Sequence, residues 1–192
     1  MSIILLGSTS GSITLQEPAI AGTTVLDLPA TSGTLITTAS SGQSIPKAAL
    51  PTGSVLQVVN ATTNTEVSSA TGTVITSGLT ASITPLFSTS KILVIANLNG
   101  VGHTTNNTSV ESYLRRNNST DLALMSLIAS AADGVTNQTV DVGSVSITFL
   151  DSPATTSSTS YSVWFKSQQG NATAYVQRYG SRSSITVMEI AA

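Results

Sequence analysis

The sequence predicts an all-β protein: an antiparallel, jelly-roll-like sandwich head behind an extended, β-rich N-terminal segment. Three observations carry that reading. Thr, Val and Ile are abundant, and such residues suit a pleated, half-buried surface. From about Ser54 onward, apolar and polar residues alternate in short runs separated by Gly, Asn, Asp and Ser turns, with no sustained helical period. Charged residues are 8% of the chain, against about 25% in an ordinary globular protein, and Ser with Thr fill about a third of it. The 40% apolar content is enough for a core, and low charge with ample Val, Ile and Leu is the reverse of a disordered composition.

The elements follow in order. Residues 1–52 form the N-terminal segment, where the short apolar runs Ser12–Gln16, Thr23–Leu28 and Thr34–Thr37 alternate with Gly, Pro and Ser-Gly turn signals. Each run is too short to bury a core alone, so this segment gains order by packing on something else. Ser41–Gly53, with Pro46 and Pro51, reads as a semi-extended linker because proline fixes φ and disfavours helix before it.

Residues 53–192 form the head. Ser54–Ala61 places Leu56 and Val58 on one face and Val55, Gln57 and Val59 on the other. Thr71–Thr76 and Leu79–Thr84 flank Ser77-Gly78, a hairpin signal. Lys91–Leu98 is almost continuously apolar, as in a central strand buried on both faces. Thr108–Arg116 sets Val110, Ser112 and Leu114 against Glu111, Tyr113 and Arg115. Asp121–Ala129 is rich in Leu and Ala but follows an Asn117-Asn118 turn, which favours a strand in a meander. Val140–Leu150 puts Val145, Ile147 and Phe149 on one face. After the polar loop Asp151–Ser160, Tyr161–Lys166 sets Tyr161, Val163 and Phe165 on one face, and Ala172–Tyr179 and Ser184–Ala191 close the chain. About nine strands in this arrangement make a jelly roll the economical sandwich.

Composition excludes several functions. Net charge is −2, so there is no electrostatic footprint for nucleic acid, and the adjacent Arg115 and Arg116 read as solvated or interface charges. Without cysteine there are no disulfides, thiolate metal sites or cysteine nucleophiles. Met1–Leu6 lacks the basic start and the length of a signal peptide, and no run reaches the roughly 20 apolar residues of a membrane helix. Sequons such as Asn60-Ala61-Thr62 and Asn171-Ala172-Thr173 are what an Asn- and Thr-rich chain yields by chance.

Candidate chemistry is sparse. His103, the only histidine, falls in the Gly/Asn-rich stretch Asn99–Asn107 and reads as a solvated loop residue. No Gly-x-Ser-x-Gly elbow supplies it with a nucleophile. Asp133-Gly134 and Asp141 lack calcium-loop spacing and read as turn residues. Tyr161, Trp164, Phe165, Tyr175 and Tyr179 hold most of the aromatic content; core and interface packing is favoured over glycan stacking. The nine acids are scattered, with no pair to suggest a glycosidase. The expectation is a non-enzymatic protein with no catalytic, cofactor or metal residues.

Two blocks carry a resemblance. Gly11-Ser12-Ile13-Thr14-Leu15-Gln16, Pro18-Ala19, Ala21-Gly22-Thr23-Thr24 and Leu28-Pro29-Ala30-Thr31-Ser32-Gly33-Thr34-Leu35 resemble a motif near the start of fibre and surface proteins of tailed bacteriophages, marine and cyanobacterial ones especially. Gly53–Val59, Thr76–Pro85, Ser90–Leu93 and Ser184–Ile190 resemble the head domain that follows it. The resemblance covers most of the chain, through motifs built of common small residues. It implies a virion surface protein, a homotrimeric head and a thin N-terminal attachment segment; in such a trimer His103 is expected as a solvated or axis-lining loop residue, with a metal shared across the three-fold as the remoter use. The motif begins almost at Met1 and runs directly into the head, which favours a capsid decoration (cement or head-fibre) protein partnered by the major capsid protein. A tail-fibre protein, joined to a tail or baseplate protein and touching a host-surface glycan or envelope receptor, is the alternative. No nucleic-acid partner or membrane insertion is expected.

Overall fold

In the computed structural model, the described residues are 3–6, 8–15, 50–104, 109–129, 139–168 and 172–192. The chain divides into two units, Met1–Gln43 and Ser44–Ala192. In the first, β1 (Ile3–Leu6) and β2 (Ser12–Leu15) form an antiparallel hairpin with Ile3 opposite Leu15. Ile4 and Leu6 remain 60% and 82% exposed, since a two-stranded hairpin buries little by itself. The runs expected at 23–28 and 34–37, and linker residues 41–49, lie outside the described residues. At the end of that linker, a turn is closed by the Ser54 N–H donating to the Pro51 carbonyl at 3.1 Å.

The second unit holds β3 (Val55–Thr63), β4 (Val67–Ser69), β5 (Ile75–Ile83), β6 (Lys91–Thr104), β7 (Ser109–Arg116), β8 (Thr120–Ala129), β9 (Thr139–Asp151), β10 (Thr159–Ser167), β11 (Ala174–Val176) and β12 (Ser183–Ile190). All pairings are antiparallel. One sheet runs β5-β10-β7-β8. The other has the path β3-β12-β6, with β9 on the far side of β6 and the short β11 and β4 extending it at one end. Numbering the eight long strands one to eight, the sheets read 1-8-3-6 and 2-7-4-5. That is the jelly-roll order, so the expected fold class holds.

The core is the layer between the sheets, supplied by alternate residues. Leu79, Ala81 and Ile83 of β5 and Tyr161, Val163 and Phe165 of β10 face Ile92, Val94, Ala96 and Leu98 of β6 and Ile185 and Val187 of β12, all buried. Val110 and Leu114 point inward from β7, and Val145 from β9, as their alternation predicts. The chain comes into the sandwich beside its own end: the Gly53 N–H donates to the Ala191 carbonyl at 2.8 Å and the Ala191 N–H to the Ser54 carbonyl at 2.9 Å.

Five expectations need correction. Leu56 and Val58, expected on one face, lie on opposite ones: Leu56 is buried and Val58 exposed, because the pairing of β3 with β12 shifts register between Gln57 and Val55. Ser77-Gly78 is not a hairpin turn but an irregularity within β5, where the pairing with β10 shifts register and Gly78 takes φ 78°. The Ser77 hydroxyl donates to the Val163 carbonyl at 2.7 Å, bridging the disrupted ladder. Lys91–Leu98 is central, with partners on both edges, but only one of its faces is buried; on the other, Ile95 is 41% exposed. Asn99–Thr104 is no loop, because β6 continues through bulges around Gly100 and Val101 against β9. Ala172–Tyr179 yields only the three residues of β11 before a tight turn at Arg178–Gly180.

Gly100 shows why the turn lands there. Its φ is +61°, and a Cβ built on it would lie 2.5 Å from the Arg178 nitrogen and 2.8 Å from the Arg178 carbonyl oxygen. Only glycine permits both the left-handed backbone and the close approach. Gly100→Ala is expected to destabilise the head by about 2 to 4 kcal/mol in urea denaturation, the combined cost of strain and overlap. Gly53→Ala, also at positive φ but with open space around the added carbon, is expected to cost less.

Candidate interaction surfaces

The two sheets present opposite kinds of outer face. On the β3-β12-β6-β9 sheet, the register aligns three rows of outward residues: Val58–Met188–Leu93–Leu150, Asn60–Thr186–Ile95–Thr148 and Thr62–Ser184–Asn97–Ser146. None of these residues is charged. Val58, Ile95 and Leu150 are exposed and Met188 and Leu93 partly so, giving an apolar row across four strands. Lys91 stands only at the rim, opposite Ile190.

The outer face of β5-β10-β7-β8 collects charge instead. Lys166 Nζ lies 2.6 Å from Glu111 Oε2, and the Tyr113 hydroxyl donates to the same oxygen at 2.6 Å. Burial pushes the Glu111 carboxyl up, but these partners outweigh it and hold the group below its usual range. Arg115 pairs with Asp121 and sits 4.9 Å from the Trp164 ring centroid.

Two polar groups lock the end of the sandwich where the chain comes in. Arg116 Nη1 donates to both oxygens of the buried Asp151 at 3.0 and 2.9 Å, and the buried Tyr161 hydroxyl donates to Asp151 Oδ2 at 2.7 Å. Burial, with that carboxylate beside it, drives the Tyr161 phenol well above its ordinary range. Glu189 is fully buried, accepting from the Leu86 N–H at 2.7 Å and from the Gln57 amide. Burial alone would raise its carboxyl, but the Ser90 hydroxyl, the Gln57 amide and the Leu86 and Phe87 N–H groups reverse that and lower it.

At the other end lies a cavity of about 520 Å³ lined by Asn99, Gly100, Val101, Gly143, Ser144, Arg178, Tyr179, Ser181 and Arg182. Tyr179 is 79% exposed and takes φ 56°, and its neighbour Gln177 takes φ 55°. The Arg178 guanidinium carbon sits 4.7 Å from the ring centroids of both Tyr175 and Tyr179. The turn is held by the Gln177 N–H donating to the Asn99 carbonyl at 2.9 Å and the Tyr179 N–H to Glu66 Oε2 at 3.3 Å.

The residues singled out in the sequence scatter accordingly. His103 is fully buried in β6, paired in register with Val140 and Ala174, so it is neither a solvated loop residue nor one lining an axis at the head's surface. Arg115 and Arg116 are each committed to an acid rather than isolated. Tyr161 and Phe165 are core, Trp164 and Tyr175 half-buried, and Tyr179 exposed at the cavity. Asp133-Gly134 lies outside the described residues, and of Asp141 only its place in β9 is described, where a turn was expected. Among the described residues no three His, Asp or Glu side chains group as metal ligands, and no helix is long and apolar enough to cross a membrane. The cavity itself escaped the sequence reading. Its signal was Arg178-Tyr179-Gly180-Ser181-Arg182, which holds two of the chain's seven cations.

No family model matches the chain, and no curated protein matches it significantly. Among solved structures it is similar to a mutant VP2 protein of infectious bursal disease virus in derived T=1 particles, with TM-score 0.34 and 15% identity over 72% of this chain and 37% of that one. It is also similar to the structure of the infectious bursal disease virus Gx strain, with TM-score 0.33 and 16% identity over 72% of this chain and 39% of that one. The chain thus spans less than two fifths of either. The strand order, independent of this likeness, is what defines the fold.

The lowered Glu189 carboxyl sets an acid limit on stability. A depressed folded-state pKa contributes stability that is present above the ordinary carboxylate value of 4.5 and is lost as pH falls through the folded value. Urea denaturation of the wild type is expected to show a declining midpoint below about pH 4.5. Glu189→Gln is expected to be about 1 to 3 kcal/mol less stable at pH 7 and to lose less on acidification, because its amide does not titrate.

Proposed function

We propose that this protein is a structural component of a tailed-bacteriophage virion surface, a homotrimeric decoration protein that clamps onto the capsid through its N-terminal segment. The observation that carries the reading is the partition of charge between the two outer faces. Burying an ion costs several kcal/mol unless it is paired, so a protein that packs against copies of itself does so with its uncharged face. The rows across β3, β12, β6 and β9 contain no ion to bury and expose Val58, Ile95 and Leu150 to water in the single chain. Three copies covering these faces around a three-fold axis would complete the burial that the apolar run Lys91–Leu98 anticipates.

The attachment segment fits the same scheme. Short strands such as β1 and β2, with Ile4 and Leu6 exposed, gain order by pairing with a sheet edge on the particle. Three segments joined to one trimer raise one another's effective concentration, so weak individual binding suffices. As decoration, the trimer would hold neighbouring capsid subunits against internal pressure. The second reading, a tail-fibre protein that binds a host receptor, is favoured by one feature: the exposed Tyr179 cavity at the far end of the head.

Copy number separates the two. Quantitative mass spectrometry of purified particles, scaled to the major capsid protein, is expected to find hundreds of copies. A few to a few tens would favour the tail-fibre reading. Absence from the particle would overturn both.

A further inference from the structure

We propose that the cavity around Tyr179 is a binding site for an acidic saccharide. The cavity lies beside Asn99–Val101 of β6, nine residues from Lys91, whose partner Ile190 marks the end where the chain comes into the sandwich. At about 3.3 Å per residue, that is roughly 30 Å away, at the opposite end of the head. A head anchored through its N-terminal segment would therefore display this cavity outward.

Two left-handed non-glycine residues, Gln177 and Tyr179, sit in one short turn. Such strain persists only where surrounding structure enforces it, and it gathers at binding sites. Here the enforcement is visible: β6 bulges at Gly100 to admit the turn, and the Gln177 side chain is fully buried against the Ser183 hydroxyl at 3.1 Å. The effect is to hold a phenol ring out of the core, 79% exposed, with the Arg178 guanidinium packed beside it. A buried or disordered tyrosine would need none of this.

An exposed aromatic ring offers a flat apolar surface to the C–H face of a pyranose. Asn99, Ser144 and Ser181 add amide and hydroxyl groups along the wall, suited to sugar hydroxyls. Among the described residues Val101 is the one aliphatic side chain larger than alanine in the lining, and these residues form no apolar socket of the kind a lipid or a peptide anchor needs. Arg178 and Arg182 line it and, among the described residues, no carboxylate does, although Glu66 stands behind the turn. Arg182 is exposed and is the group suited to a carboxylate, sulfate or phosphate on the sugar.

This inference does not depend on whether the protein sits on a capsid or a tail, and its test uses the isolated full chain. The chain would be applied to an array of bacterial surface saccharides, acidic and neutral, and hits would be titrated with the variants. Expected is binding to acidic members, weakened about tenfold or more by Tyr179→Ala and kept within about threefold by Tyr179→Phe, which retains the ring. Arg182→Ala is expected to weaken acidic ligands about fivefold and remove their preference over neutral ones. Circular dichroism and melting, unchanged in all three variants, would separate lost binding from lost folding. The proposal is overturned if no array member binds, if neutral saccharides bind as well as acidic ones, or if Tyr179→Ala leaves affinity unchanged.

Discussion

A chain with seven cations and nine acids among 192 residues cannot keep its surface in water by charge. Two other means would serve: hydroxyls that hydrogen-bond to solvent, and, in the role proposed, contact with another protein surface. Both are laid out on the jelly roll with a period of two. Inward positions of β5, β6, β10 and β12 supply Leu, Ile, Val and aromatic side chains to one layer. Outward positions supply Thr, Ser and Asn, and on one sheet an apolar row as well. Among the described residues three ion pairs are seen, and none of them is on that face. Lys166–Glu111 and Arg115–Asp121 stand on the outside of the other sheet, and Arg116–Asp151 and Glu189 lock the end where the chain comes in. Charge is absent from the face that association would cover, which links composition to the proposed role more directly than any single residue does.

Strand alternation was the legible part of the sequence. Val110, Ser112 and Leu114 do face inward, as do Tyr161, Val163 and Phe165, because side-chain direction in a strand follows from local geometry alone. Asp121–Ala129 proved a strand despite its helix-forming Leu and Ala, since it pairs along its length with β7. Two of the errors share one cause. Ser77-Gly78 and Asn99-Gly100 carry the residue types of turns, yet both lie inside strands at bulges. A bulge and a turn ask the same thing of glycine, a backbone most residues avoid, and only the partner strand distinguishes them. His103 was misplaced for that reason: with β6 expected to end at Leu98, it fell in a loop, whereas the strand carries it into the interior.

The interaction surfaces were legible only in outline. The low charge of the chain suits a surface for close packing, but it does not say which face. That became visible when register brought Val58, Met188, Leu93 and Leu150 from four separate segments into one row. The cavity is likewise built across distance. Asn99 and Gly100, Gly143 and Ser144, and Arg178 to Arg182 meet only because β6 lies between β9 and the strand that leads into the turn. Tyr179 was one aromatic among eight in the sequence, and what distinguishes it is backbone strain and exposure, which depend on its surroundings.

The central claim is that copies of this chain associate through an uncharged sheet face. It is tested most directly by sedimentation of the full chain and of Ile95→Lys, which puts an ion in the middle of that face, at low and high salt. The account predicts a wild-type trimer that persists from about 0.05 to about 1 M NaCl, since screening removes ion pairs but not apolar contact, and a folded monomer for the variant. A monomeric wild type, a trimer that dissociates as salt rises, or an Ile95→Lys variant that remains trimeric would contradict it.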